Sequence, residues 1–180
     1  CQKNLNKNLY KKANRLRMSR LWAPWRIEYI RTKKDEGCVF CNKSSSNEDQ
    51  NNLVLYRGEE SFVLMNLYPY SNGHLMISPY LHTSDTNDLS ASCNEEIMRL
   101  ANESMKILKN QISAEGFNFG ANLGKAGGAG IEDHLHYHIV PRWSGDTNFM
   151  PVVGTTKVMV EGLNETWVNL KPEFDAIKEV

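Results

Sequence analysis

Apolar and polar residues alternate in the first half of the chain in a way that predicts β-strands. Residues 53–57 and 61–66 are rich in apolar and β-branched side chains and flank a Gly-Glu-Glu turn, so they predict a β-hairpin. A third strand at 74–78 is predicted to end at Pro79, because proline has no backbone N–H for the hydrogen bonds of a sheet. This part of the chain therefore predicts three consecutive strands.

The next segment predicts a long helix, since its apolar residues recur every three or four positions. These positions are Ile97, Leu100, Ala101, Met105 and Leu108. Residues 86–88 offer N-terminal caps, and we expect the helix to reach about Ala114. A second helix is expected within 158–180, after Gly162. The polar stretch 43–52 is predicted to be an exposed loop.

Two further strands are predicted at 117–123 and 134–140, with a glycine-rich loop between them and Pro141 ending the second. The order of elements lacks the regular strand–helix alternation of a parallel sheet. It predicts an α+β fold with about five antiparallel strands, one long helix and a C-terminal helix.

Composition narrows the class of protein. A chain of 180 residues with 41% hydrophobic residues is typical of one compact domain. Lys+Arg and Asp+Glu number 21 each, so the charge balance does not favour a nucleic acid or an acidic membrane as partner. No apolar run approaches the roughly 20 residues of a membrane span.

We expect residues 1–20, which are basic and lack an apolar core, to be a mobile extension before a domain at 21–180. Sparse cysteine usage favours a reducing, cytoplasmic location.

Three histidines alternate with apolar residues in the predicted fifth strand. His134, His136 and His138 stand at positions i, i+2 and i+4, which places their imidazoles on one face of a strand. Imidazoles titrate near neutral pH and serve as nucleophiles, acids or metal ligands. A half-buried strand with a histidine-rich polar face is the structural alternative, but the regular spacing favours a functional site.

A glycine-rich loop, residues 124–130, directly precedes these histidines. Glycines allow successive backbone N–H groups to form an anion-binding concavity. Such a loop is usually only a turn, yet its position before a histidine face favours the binding of a phosphoryl group.

The pair Cys38 and Cys41 has the C-x₂-C spacing of half a tetrahedral zinc site. Buried free thiols and a disulfide or redox pair are the alternatives, the latter disfavoured because no βαβ pattern surrounds the pair.

The sequence HLHYHIV at 134–140 resembles the signature of the histidine triad superfamily of nucleotide hydrolases and transferases. The similarity also covers Asn66, residues 73–82, the 122–130 loop and the stretch 141–152. The last stretch resembles the branch that cleaves dinucleoside polyphosphates, including diadenosine tetraphosphate phosphorylases and hydrolases. The resemblance implies a histidine-triad-like fold and a homodimer.

Within that family resemblance, His136 would attack the α-phosphorus and form a nucleotidyl-histidine intermediate, which phosphate or water then resolves. His138 would hydrogen-bond a phosphate oxygen and His134 would support it. Asn66 would contact the ribose. The remaining expected contacts are to phosphate (Asn122, Gly127, Gly128 and Gly130) and to the nucleobase (Leu64 and Leu67). Just past the triad, Arg142 would clamp the polyphosphate, and Trp143 would stack on the substrate or contact a second subunit.

The resemblance also implies a structural zinc held by Cys38, Cys41, His82 and His134, while Mg²⁺ would only accompany a polyphosphate substrate. One departure is that the loop before the triad has no Ser, Thr or Gln. Nucleoside phosphoramidase activity, and a non-catalytic zinc-stabilised nucleotide-binding module, are the alternative functions.

Overall fold

The computed structural model describes residues 37–146, 159 and 161–177. The predicted extension at 1–20, the beginning of the predicted domain, and residues 147–152 of the resemblance lie outside the described residues. The described elements, in chain order, are α1 (Val39–Ser45), α2 (Asp49–Asn52), β1 (Val54–Arg57), β2 (Ser61–Met65), β3 (Leu75–Pro79), a 3₁₀ turn (Thr86–Asp88), α3 (Ala91–Gln111), β4 (Gly116–Ala121), a second 3₁₀ turn (Lys125–Gly127), β5 (Tyr137–Arg142) and α4 (Leu163–Asp175).

The five strands form one antiparallel sheet in the order β1-β2-β3-β5-β4. The predicted α+β fold, with its five-stranded antiparallel sheet, long helix and C-terminal helix, is confirmed. No helix among the described residues combines the length and apolar character needed to cross a bilayer.

One face of the sheet carries the main core, because α3 and α4 pack their apolar sides against it. The opposite face carries a smaller cluster in which Phe40 of α1 is buried against strand residues. The members of that cluster on the strands are Val54, Phe62, Leu64 and Met76. Helix α1 covers this face over β1–β3 and, through Phe40, reaches His136 just before β5, whereas none of the other described helices covers the face over β5 and β4.

The prediction of an exposed loop at 43–52 was wrong, since α1 and α2 occupy much of it. Arg57 holds the segment by donating hydrogen bonds to the carbonyls of Ser44 (2.7 Å) and Ser46 (2.5 Å) and to the Asp49 carboxylate. These helices are short and polar, so no apolar periodicity marks them.

The predicted bounds of β5 were also wrong at both ends, since the strand begins at Tyr137 and passes through Pro141 to Arg142. The Arg142 carbonyl accepts from the Glu115 N–H in the direction of β4, whereas the Pro141 carbonyl accepts from Ser71 Oγ. Successive residues of a strand point their backbone groups to opposite sides, so the nitrogen of Pro141 faces away from β4 and no sheet hydrogen bond is lost.

The long helix starts later than predicted. Residues 86–88 form a separate 3₁₀ turn, and Ser90 caps α3 by accepting a hydrogen bond from the Cys93 N–H.

Candidate active site

His136 lies just before β5, with its ring against Phe40 at a centroid distance of 4.7 Å and only 6% of the residue exposed. Its Nδ1 lies 2.8 Å from the carbonyl oxygen of His134. A carbonyl can only accept, so Nδ1 carries the proton and Nε2 keeps a lone pair. Burial lowers the pKa of His136, against an opposing effect of that hydrogen bond, so the ring is neutral near pH 7. The arrangement prepares Nε2 to act as a nucleophile.

His138 belongs to a hydrogen-bonded relay that also contains His74. The Tyr70 N–H donates to His74 Nδ1 (3.0 Å), and His74 Nε2 lies 3.0 Å from His138 Nδ1. His74 Nδ1 is therefore an acceptor, His74 Nε2–H is the donor, and the proton of His138 lies on Nε2. Burial and the neighbouring His136 lower the pKa of His138 to about 4. His138 is thus a neutral donor.

His74 is a site residue that sequence reasoning missed. It is buried, and it lies 64 residues before the histidine to which it is hydrogen-bonded. A single histidine after a Gly turn carries no signal of its own, whereas the pairing of β3 with β5 brings it beside the triad.

Asn66 lies against the same relay. Its Oδ1 accepts from the Tyr68 N–H (2.9 Å), which fixes the orientation of the amide, and its Nδ2 lies 3.3 Å from His74 Nδ1. In this structure Asn66 therefore contacts the relay that orients His138, and its contact with a ribose stays a prediction.

A second cluster brings together Cys38, Cys41, His82 and His134, whose ligand atoms all lie within 4.8 Å of one another. The distance from His134 Nδ1 is 3.2 Å to Cys38 Sγ, 3.5 Å to Cys41 Sγ and 3.1 Å to His82 Nδ1. Ligand atoms on one tetrahedral zinc ion lie roughly 3.3–3.8 Å apart, given the usual Zn–N and Zn–S bond lengths. The four donors converge with nearly this geometry.

The protonation of the cluster also suits a metal. His134 Nε2 lies 2.9 Å from the Pro79 carbonyl and must donate to it, so Nδ1 offers its lone pair to the cluster. Burial lowers the pKa of His134, which keeps it neutral, as a ligand must be. Cys38 and Cys41 are free thiols rather than a disulfide. Burial, then the adjacent Cys38 thiol, raise the pKa of Cys41, so two thiolates here require a cation.

The two clusters share one residue. The imidazole of His134 faces the cysteines, whereas its carbonyl oxygen accepts the His136 proton. The Phe40 ring contacts the rings of His134 and His136, and the His136 and His138 rings lie 5.0 Å apart, so the three imidazoles share one face as predicted, although His134 and His136 precede the regular strand.

A groove of about 450 Å³ lies on the open face of β5 and β4. Its lining consists of Tyr70, Asn118, Phe119, Gly120, Ala121, Asn122, His138, Val140 and Arg142. Two residues expected to bind substrate, Asn122 and Arg142, are thus grouped with His138. The Arg142 guanidinium donates to both carboxylate oxygens of Asp146 and, at 2.8 Å, to Asn118 Oδ1.

Other expected contacts lie elsewhere. The N–H groups of Gly127 and Gly128 donate to carbonyls within their own loop, and Gly130 is exposed beside them, so their contact with phosphate stays a prediction. Leu64 has no exposed surface, because it packs in the cluster with Phe40, whereas Leu67 is 43% exposed.

Trp143 lies away from this groove. Its indole N–H donates to the carbonyl of Ile112 at the end of α3, the helix on the opposite face of the sheet (3.2 Å). The residue therefore anchors the helix end and does not line the groove beside His138.

Comparison with known proteins accounts for this geometry, since residues 47–145 match the HIT domain. The chain belongs to the HIT domain family. It is 36% identical over 162 residues to an AP-4-A phosphorylase of Mycobacterium tuberculosis, a match that spans 86% of this chain and 83% of that protein. It is 28% identical over 89 residues to a bis(5′-adenosyl)-triphosphatase of Dictyostelium discoideum, covering 49% of this chain and 59% of the relative.

The fold of the HIT family is shared by solved structures. A Zn-bound histidine triad family protein from Mycobacterium smegmatis superposes with a TM-score of 0.62 at 22% identity, covering 77% of this chain and 94% of the other. At this identity the likeness concerns the fold alone.

Proposed function

We propose that this HIT-family enzyme cleaves dinucleoside polyphosphates, diadenosine tetraphosphate in particular, through a nucleotidyl intermediate on His136. Its enzymatic character follows from the 36% identity with a phosphorylase over most of both chains. The mechanism is supported above all by the hydrogen bond from His136 Nδ1 to the His134 carbonyl. Because the proton lies on Nδ1, Nε2 keeps its lone pair. Nucleophilic catalysis requires a lone pair of this kind at neutral pH.

In the first step, the His136 Nε2 lone pair forms a bond to the α-phosphorus, and the bond from that phosphorus to its bridging oxygen breaks. The bridging oxygen leaves with the electron pair as the terminal phosphate of the departing nucleotide, which is ATP if the substrate is diadenosine tetraphosphate. The substituted imidazole becomes cationic, and its Nδ1–H···O=C bond to His134 stabilises that charge.

The Nε2–H of His138 is the donor that supports a phosphate oxygen while charge builds up on it. The relay from the Tyr70 N–H through His74 fixes this tautomer, so the donor is oriented before the substrate arrives. We assign His74 as a positioning residue, because it acts through His138.

In the second step, an acceptor oxygen attacks the phosphorus and returns the electron pair to His136 Nε2. Inorganic phosphate as acceptor gives ADP, whereas water gives AMP and releases a proton. The identity with a phosphorylase supports phosphate as the acceptor.

The donor set Cys38, Cys41, His82 and His134 fits zinc, and we propose that these residues hold one structural zinc ion. When bound, the ion supplies a fixed anchor for the His134 ring. The chemistry at the α-phosphorus belongs to the histidines. Mg²⁺ enters only as a counter-ion of the polyphosphate.

Three further expectations belong to this proposal. The location of β4 at the end of the sheet supports a homodimer that forms along the β4 edge, which light scattering of the full chain tests. The cytoplasmic location and the division into a 1–20 extension and a 21–180 domain stay predictions, which cell fractionation and limited proteolysis test.

Product analysis of diadenosine tetraphosphate with and without inorganic phosphate tests the function. We expect ADP and ATP to form only when phosphate is present. AMP and ATP in both reactions would make the enzyme a hydrolase. If neither reaction yields product, the substrate class is wrong, and turnover of adenosine 5′-phosphoramidate then separates a phosphoramidase from a non-catalytic binding module.

A further inference from the structure

The groove beside His138 extends well beyond the histidines assigned to the chemistry at the α-phosphorus. It continues from His138 along the side-chain face of β5, past Val140, to Arg142. Four residues of extended chain span roughly 13 Å. The volume of about 450 Å³ lies in the usual range for a small-molecule site.

We propose that this groove binds the leaving nucleotide of the substrate, a subsite defined by Tyr70, Asn118, Gly120 and Arg142. The inference rests on the proposed function, since it assigns a location to the half of the dinucleotide that departs. The groove begins at His138, the donor next to the attacked phosphorus, and so lies where the leaving polyphosphate must begin.

The charges in the groove favour a nucleoside at its far end. Asp146 neutralises the Arg142 guanidinium through two hydrogen bonds, so this end does not present an unbalanced positive charge to a phosphate. Arg142 also fixes Asn118 Oδ1, which makes the Asn118 NH₂ group the donor half of that amide for a ligand. Neutral polar groups of this kind match a ribose or a base.

Tyr70 supplies an aromatic wall. It is 59% exposed, and its ring centroid lies 4.8 Å from that of His74 and 6.1 Å from that of His138. A large exposed aromatic ring at the mouth of a groove is suited to stacking on a nucleobase.

Gly120 keeps the groove open. It pairs with His138 across β4 and β5, and a Cβ built on Gly120 meets no other atom within 4 Å. A larger side chain at this position would project into open space beside His138 without displacing protein atoms. Val168 is the control site, because it is 54% exposed on α4, the helix that packs on the opposite face of the sheet.

The test compares Gly120→Leu with Val168→Leu in the full-length protein. Calorimetric titration measures the affinity for a non-hydrolysable diadenosine tetraphosphate analogue and for AMP, which needs only the subsite at His136. We expect Gly120→Leu to weaken binding of the analogue about 10-fold or more and to leave AMP within about 2-fold, by analogy with the loss of a stacked base. Val168→Leu should change neither affinity, and thermal unfolding and light scattering check that both variants keep their fold and oligomeric state.

Tyr70→Ala should cause a similar selective loss of analogue affinity, and Tyr70→Phe should restore it, because the phenyl ring still stacks. Equal weakening of AMP and analogue in Gly120→Leu, or unchanged analogue affinity, would overturn the assignment. These outcomes do not depend on turnover. If the wild-type enzyme does not cleave diadenosine tetraphosphate, the proposed reaction is wrong. The affinities for the analogue and for AMP test the subsite independently of that result.

Discussion

The carbonyl oxygen of His134 accepts a hydrogen bond of 2.8 Å from Nδ1 of His136, while the imidazole of His134 faces two cysteine thiols. One residue thus connects the cysteine–histidine cluster, the proposed zinc site, to His136, the proposed nucleophile. Substitutions at the cysteines and at His136 can therefore test the two clusters separately.

Replacing His136 tests the nucleophile. His136→Asn removes the Nε2 lone pair, and we expect turnover to fall on the order of 10⁴-fold or more while AMP affinity changes little. Incubation with substrate labelled at the α-phosphorus should leave acid-labile radioactivity on the wild-type protein and none on the variant. Turnover near the wild-type rate in His136→Asn would contradict the mechanism.

Replacing His74 tests the relay. His74→Leu removes the donor to His138 Nδ1, so we expect kcat to drop about 10- to 100-fold, the usual cost of losing an orienting partner. His74→Gln, which can still donate, should recover part of the loss. Nitrogen NMR shifts should show the proton of His138 on Nε2 in the wild-type protein and a mixture of tautomers in His74→Leu. An unchanged tautomer would refute the positioning role.

Replacing a cysteine tests the metal site. We expect about one zinc per chain in the purified wild-type protein and much less in Cys38→Ser, together with a lower unfolding temperature. Cys93→Ala provides the control, because Cys93 is buried in the main core away from the cluster. Elemental analysis measures the zinc. Equal zinc content in Cys38→Ser and the wild type would exclude the proposed ligand set.

Glu96 should make stability depend on pH. Burial tends to raise its pKa, but hydrogen bonds from Ser61 Oγ and from the N–H groups of Glu59 and Glu60 outweigh burial and lower it below the ordinary 4.5. A carboxylate with a lowered folded-state pKa contributes stability that is complete above its ordinary pKa and is lost as pH falls through the folded-state value.

We therefore expect Glu96→Gln to lower the free energy of unfolding by about 1–3 kcal/mol at pH 7 and by progressively less below pH 4.5. Urea unfolding at several pH values measures the difference. Glu103→Gln, on the same helix and paired at the surface with Lys106, should have little effect at any pH. A difference for Glu96→Gln that stays constant down to pH 3 would be inconsistent with the lowered pKa.

Gly58 depends on the same carboxylate. A Cβ at Gly58 would lie 2.5 Å from Glu96 Oε1, and three hydrogen bonds hold that side chain in place. We expect Gly58→Ala to destabilise the protein by about 1–3 kcal/mol, and Gly116→Ala, with open space around it, to cost far less. Denaturant unfolding compares the two, and equal costs would count against a steric cause.

Regular patterns in the sequence were sufficient to predict the sheet and the two large helices, because alternation and helical periodicity persist over many residues there. Short elements escaped prediction. The helices at 39–45 and 49–52 depend on Arg57, a residue on a neighbouring strand, so their own sequence does not encode the contacts that hold them.

The candidate site was likewise predicted only in part from the sequence. The spacing of His134, His136 and His138 was visible in the sequence, but the relay through His74 depends on strand pairing. The glycine loop looked like an anion site from its composition, yet its N–H groups bond within the loop. Trp143 follows the triad directly in sequence, but a hydrogen bond to the end of α3 draws it away from the groove.

The two ends of helix α1 are held by different kinds of contact. Its N-terminal end carries the cysteines of the metal cluster, and its C-terminal carbonyls are held by the Arg57 guanidinium, with Phe40 between them against the ring of His136. If the cysteines hold the proposed zinc, a chelator would free the N-terminal end of α1, whereas the Arg57 hydrogen bonds at the other end involve no metal ligand. These hydrogen bonds would then keep the helix beside the sheet, so that the cysteines stay near His82 and His134 and can bind zinc again.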